Sequence, residues 1–189
     1  MLMLPLDDPR WRDLAHRGWS RGRPVDSVSP FVPDELAALD ANPADFERFS
    51  ALWPYLSSEG TTWAAAYAAA PYLIRFARRL PVERRTMYLI VLGLIEADSC
   101  PDGENRSFAI EPYLEAGYRH ALADARLLVA ESLTIPQPLV DLRYLLSAVA
   151  ALQGQVKLAK VLSDIDCISG PCPACGTEVY PPELQEVVH

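Results

Sequence analysis

Residues 61–80 are the most constraining stretch of this chain. After Trp63 it runs Ala64-Ala65-Ala66-Tyr67-Ala68-Ala69-Ala70 and then Pro71-Tyr72-Leu73-Ile74. Alanine is the strongest helix former, and a helix that is small all round lets neighbours approach closely on several sides. The segment therefore predicts a helix from Thr61 or Thr62, as its cap, to Leu80. Pro71 should kink it, because proline removes one backbone hydrogen bond and clashes with the preceding turn.

The rest of the chain carries the same helical signature. Pro and Gly (17 and 9 of 189 residues) divide it into segments with almost no strand pattern. Asp7 or Asp8 can cap a first helix through about Arg17, and residues 18–32 read as a loop. Pro33–Asn42 forms a short helix. The next, from Pro43, places Phe46, Phe49, Leu52 and Trp53 on one face and ends at Ser57–Gly60. Pro81 opens a helix with Glu83 in its first turn, burying Met87, Leu89, Ile90, Leu92, Leu94 and Ile95. A long helix follows from about Ile110 to Leu133, another runs through Leu152 to a break at Gly154, and Val156–Ile165 is the last. This pattern predicts an all-α fold, an α-solenoid of antiparallel helix pairs in preference to a closed bundle, with degenerate repeats. The helical domain covers 1–166, and 167–189 is a small Cys-containing tail.

Half the residues are hydrophobic, enough for a sizeable core, and the net charge of −8 is the stronger functional constraint. An acidic chain is a poor candidate for phosphate backbones or anionic membranes. From residue 101 onward there are 12 acidic and 6 basic side chains, and after Lys160 five acids and no base. Arg75, Arg78, Arg79, Arg84 and Arg85 cluster at one helix junction, which reads as a solvated surface favoured by the helix dipole, or as a protein contact. The N-terminus lacks the basic flank of a secretory signal, and no apolar run reaches the ~18 residues of a membrane span. The expected location is the cytoplasm, where thiols stay reduced. An oxidised Cys167–Cys172 or Cys167–Cys175 pair belongs to the exported alternative.

Three groups of residues are candidates for chemistry or binding. Cys172-Pro173-Ala174-Cys175-Gly176, with Cys167 upstream, can offer sulfurs to one structural Zn²⁺, with His189, His120 or Cys100 as the fourth ligand. The alternative is a relic knuckle that keeps the turn without the metal. Trp53, Tyr55, Trp63, Tyr67, Tyr72 and Phe76 crowd around the Ser57–Gly60 turn. They read either as core or as a partner or ligand surface made of Trp53, Glu59, Trp63, Tyr67 and Tyr72. For catalysis, His16 and His120 are the only internal histidines, Glu111 and Glu115 read as solvent-facing, and no nucleophile elbow, phosphate loop or paired-His motif occurs. No catalytic residue is assigned, and the chain is not expected to be an enzyme.

One resemblance adds to this reading. Phe49-Ser50-Ala51-Leu52-Trp53-Pro54-Tyr55-Leu56, followed by Gly60-Thr61-Thr62-Trp63 and the Ala-rich run into Pro71-Tyr72-Leu73, resembles bacterial HEAT-like repeat proteins associated with toxin–immunity loci. Gly117–Leu122, Ala148–Gly154 and the Cys172–Gly176 tail fit the same pattern, so the likeness covers roughly 45–176. Its motifs are packing motifs. Where that family often has His-Gln-Gly-Thr, this chain has Ser58-Glu59-Gly60-Thr61, so no role of that His carries over. The resemblance implies protein binding, as an immunity protein. The net charge suits a basic toxin domain, because complementary charge speeds and orients docking. Monomer and homodimer both stay open, and a small-ligand receptor or enzyme using the aromatic cluster is the alternative.

Overall fold

A computed structural model of the chain describes residues 3–15, 19–20, 23–24, 31–58, 60–99, 108–164, 170–171, 174–175 and 177–179. Among them are seven α-helices: α1 (Val32–Ala41), α2 (Phe46–Leu52), α3 (Ala64–Arg79), α4 (Thr86–Ser99), α5 (Pro112–Ser132), α6 (Leu139–Leu152) and α7 (Val156–Ser163). Three two-residue antiparallel pairings accompany them: β1–β2 (Trp19–Ser20 with Arg23–Pro24), β3–β4 (Ser57–Ser58 with Thr61–Thr62) and β5–β6 (Gly170–Pro171 with Glu178–Val179). The expected all-α class holds. Most of the 167–189 tail lies outside the described residues.

α3 is the centre of the molecule. Every residue from Ala64 to Ile74 is buried, as are Phe76 and Ala77. Helices α1, α4 and α5 pack against it, as its small side chains allow. The helix runs through Pro71 as one element. Its start differs from expectation. Trp63 occupies the cap position with no side-chain cap bond, while the Thr62 hydroxyl donates to the Ile95 carbonyl at 3.0 Å. One of the unpaired first-turn N–H groups, that of Ala65, donates instead to the Ala15 carbonyl at 3.0 Å. A tertiary contact has replaced the local cap.

α4 begins at Thr86, five residues later than Pro81 suggests. Arg85, just before that start, is buried rather than part of a solvated basic surface. Its guanidinium donates from Nε to Ser132 Oγ (3.1 Å) and from Nη2 to Glu131 Oε2 (2.6 Å) and the Leu128 carbonyl (3.4 Å). It thereby serves the carbonyl end of α5, where a cation is favoured. The other arginines are engaged too: Arg75 and Arg79 with Asp40, Arg78 with Asp124, each pair within 2.9 Å. On α4, Leu89, Leu92 and Ile95 are buried as expected, and Tyr88 and Val91 join them. Met87, expected inside, is exposed, and Ile90 and Leu94 are only partly covered.

Helices two apart in sequence lie side by side: α3 against α5, and α4 against α6, which also packs on α7. The α4–α6 contact is close at Gly93, where an added Cβ would stand 2.3 Å from Ala148 Cβ and 2.4 Å from its Cα. Gly154 reverses the chain between α6 and α7 with φ +77°. Its N–H donates to Ala151 and that of Gln155 to Ala150, a Schellman ending that only glycine adopts without strain. Aromatic side chains fill the middle of the core: Tyr88 packs on Phe49 (4.2 Å between centroids) and Phe76 (5.9 Å), with its hydroxyl donating to Pro43. At the N-terminus the expected helix is a short 3₁₀ turn, Pro9–Arg12, capped by Asp8.

Candidate functional site

The open face of α4 is built from one register of its sequence. Met87, Ile90, Val91, Leu94 and Asp98 fall at i, i+3, i+4, i+7 and i+11 and line a single cleft of about 780 Å³. Trp53 and the β3–β4 hairpin stand on one side of it. Asp141 and Tyr144 of α6, with Lys160, Ser163 and Asp164 at the end of α7, complete its lining.

Local sequence explains the hairpin wall. Pro54 in a 3₁₀ turn ends the α2 run, and the Leu56 N–H donates to the Trp53 carbonyl at 2.9 Å. The pairing of Ser58 with Thr61 leaves two residues for the reversal. Gly60 takes φ +72°, the left-handed region that glycine enters at least cost. Two side chains then fasten the hairpin to α4. Ser57 Oγ donates to Asp98 Oδ2 at 3.0 Å, and Thr62 Oγ1 to the Ile95 carbonyl at 3.0 Å. The Thr62 bond is buried and shielded from competing water, whereas the Ser57 bond is part-buried at the cleft wall.

The cleft joins an apolar floor to a mostly acidic rim. Three carboxylates (Asp98, Asp141 and Asp164) face one ammonium, Lys160. Asp98 lies in the last turn of α4, and Asp164 is the C-cap of α7. Both occupy helix ends whose exposed carbonyls already carry partial negative charge. No histidine or cysteine lines the cleft among the described residues. The arrangement provides apolar contact and attraction for positive charge. A second groove, of about 470 Å³ beside α2, has the same balance of charge, Glu35, Asp45 and Glu47 with Arg48, which pairs with Glu35 at 2.8 Å, but only Ala51, Leu52 and Tyr55 for an apolar lining.

The aromatic cluster expected from the sequence does not act as one surface. Trp53 lines the cleft. Trp63 stacks on Phe108 at 5.2 Å, half-buried, with its indole N–H buried and without an acceptor among the described residues. Tyr67 is buried edge-on to Tyr118 at 5.0 Å and donates to the Phe108 carbonyl at 2.9 Å. Burial, helped by the charge of Glu96, pushes its phenol up to about 12. Tyr118 donates to Glu96 Oε2 at 2.6 Å, and burial raises its phenol well above the ordinary value. Tyr72 is buried and donates to the Leu4 carbonyl. Tyr67 and Tyr72 thus take the core reading. Glu59 lies outside the described residues.

Of the proposed metal ligands, Cys167 and Cys172 lie outside the described residues, as do Cys100 and His189. Cys175 is exposed, its Sγ 3.4 Å from Thr177 Oγ1. His120 is on α5, with Nε2 3.7 Å from Asp124. Among the described residues no group of three His, Cys, Asp or Glu side chains could hold a metal ion, and no helix is long and apolar enough to cross a membrane.

The residues that sequence reasoning missed are those of α4's open face and their partners across the cleft. A signal existed. α4 is apolar nearly all round, so periodicity alone could not say which of its faces would be covered. Comparison with protein-family models, with curated proteins and with solved structures found no match for this chain.

Proposed function

We propose that this chain is a protein-binding module of the helical-repeat kind, with the α4 cleft as its binding face. The α3/α4 and α5/α6 pairs act as successive degenerate repeats, a reading supported by the lateral packing of α3 on α5 and α4 on α6. The observation that carries the binding role is the cleft itself, an open apolar floor rimmed by three carboxylates in a chain of net charge −8. The fitting partner is basic, and the specific role is neutralisation of a basic toxin domain in the cytoplasm. In the 167–189 tail, Cys167, Cys172 and Cys175 would serve as sulfur ligands of a structural zinc that pins the tail.

The test is capture of partners by the tagged, full-length protein from its native host at moderate salt, with metal content read on the same sample. A stoichiometric basic partner released by added salt, and arresting growth when produced without this chain, is the expected result. A protein recovered without any partner at physiological salt overturns the reading.

The cleft volume favours one second reading, since about 780 Å³ falls within the range of small-molecule sites. On that reading a metabolite copurifies or raises the melting temperature, and Trp53→Ala abolishes the effect.

A further inference from the structure

We infer that α7 pairs antiparallel with α7 of a second copy of this chain, through Leu158 and Val161, with Lys157 of each copy set at Asp164 of the other. This inference does not rest on the binding role of the cleft. α7 is the last of the described helices and is apolar on two sides. On one side Ala159 is buried in a cluster with Ala97, Ala150 and Ala151, and Leu162 packs against it. Ser147 Oγ of α6 donates to the Ala159 carbonyl at 2.8 Å on that side. Lys157 and Val161 each stand two residues from Ala159, about 160° round the helix, on the edge turned away from α6. Leu158 and Val161 are 52% and 53% exposed. A helix apolar on two sides has the pattern of an inner member of a helical stack, whereas an end member ordinarily turns a polar face outwards.

The charge pattern of this edge makes it complementary to itself. Lys157 lies in the first turn of α7 and Asp164 is its C-cap. The positions one turn from Lys157 on either side hold Gln153, Gly154, Lys160 and Val161, so no acid on its own helix offsets it. Asp164 accepts from Ser163 at 3.1 Å and has Lys160 one turn before it. Its carboxylate is exposed and keeps lone pairs for a further donor. Seven residues apart, Lys157 and Asp164 flank Val161 on the same edge. An antiparallel copy sets each Lys157 beside Asp164 of the other chain and brings it to the carbonyl end of that helix, where a cation is favoured. The two contacts are equivalent, as a two-fold interface requires. Like-charge repulsion is small at this place, although the whole chain is acidic. Residues 139–164 hold three of its 17 basic side chains and two of its 25 acidic ones. One short helix from each copy makes a small interface, so the pair belongs to the weak, concentration-dependent class.

The experiment is sedimentation equilibrium of the full-length protein between about 10 and 500 µM, at about 0.15 M salt, where remote surface charges are largely screened. Wild type is expected to pass from monomer to dimer over that range. Val161→Glu, at an exposed position, is expected to stay monomeric with an unchanged melting temperature. Lys157→Glu and Asp164→Lys each turn both attractions across the pair into repulsions, and each should weaken association about tenfold. Either new charge suits its own end of α7, so neither variant should unfold that helix. Mixed in equal amounts, the two variants meet with opposite charges at both contacts and should associate as well as wild type. A protein monomeric throughout the range, association unchanged by Val161→Glu, or no recovery in the mixture each overturns the proposal. The mixture decides even where Val161→Glu proves unstable, because it uses the charge variants alone.

Discussion

Helices α3 and α4 are neighbours of similar length, 16 and 14 residues, and both are largely apolar, yet they meet opposite fates. α3 is built of alanines and enclosed, with α1, α4 and α5 laid against it. α4 meets α6 through the small Gly93 and Ala97 but carries large side chains elsewhere, and it is covered by α3, α5, α6 and the hairpin except along one register, Met87–Ile90–Leu94. Small residues let neighbours close in until nothing is left over. Large residues on the other faces of α4 leave a face over once the available neighbours are placed, and that remainder lines the cleft.

Truncations test the contrast most strongly. Phe76→Ala on α3 removes a fully buried ring and should cost about 3–5 kcal/mol. Met87→Ala on the open face of α4 should cost less than about 0.5 kcal/mol. Urea midpoints read both, and similar shifts would mean that α4 has no open face.

The closed side of α4 should be as intolerant as its cleft side is tolerant. Gly93→Ala puts a methyl 2.4 Å from the Ala148 backbone, which a rotamer change cannot relieve. A loss of about 1–3 kcal/mol is expected from overpacking, measured in the same denaturation. A neutral result would show that α6 can retreat from α4.

The junction between the two helices gives a smaller effect. Arg85→Ala leaves Ser132 Oγ and the Leu128 carbonyl short of a charged donor, at about 2 kcal/mol. Arg48→Ala, which breaks a surface pair with Glu35, should cost less than about 1 kcal/mol. If the two variants melt alike, Arg85 is not an anchor of the α4 start.

The smallest effect lies in acid. Three hydrogen bonds from Arg10, two from its side chain and one from its backbone, hold the Asp8 carboxyl at about 2, below its ordinary 3.8. The ionised form therefore favours the folded N-terminal turn at every pH above about 4. That contribution declines as pH falls from about 4 towards 2. Wild type and Asp8→Asn should differ slightly in melting temperature at pH 6, and the difference should shrink towards pH 2 and vanish only below it. A difference as large at pH 2 as at pH 6 would assign the effect to something other than ionisation.

The sequence was most legible where structure is local. α1, α5 and α6 lie close to their expected positions because Pro33 and Pro112 open the first two and Gly154 follows the third. Local rules misjudged the starts of α3 and α4, where Thr62 and Arg85 spend their hydrogen bonds on distant partners, Ile95 and the end of α5. The cleft was least legible. Continuous hydrophobicity gives α4 no preferred face, and Asp141 and Asp164 come from segments more than forty residues further along the chain. Of the aromatic residues singled out, only Trp53 reaches the cleft, because Tyr67 and Tyr72 belong to α3 and share its enclosure.

The two fastenings of the hairpin, Ser57 to Asp98 and Thr62 to Ile95, have a thermodynamic consequence for whatever occupies the cleft. They place the wall before any occupant arrives, so association need not order a loop there and the attendant entropy has already been spent in folding. Cutting Ser57 would then loosen the wall in the empty state, and the penalty would surface as slower capture of the ligand before it surfaced as faster escape.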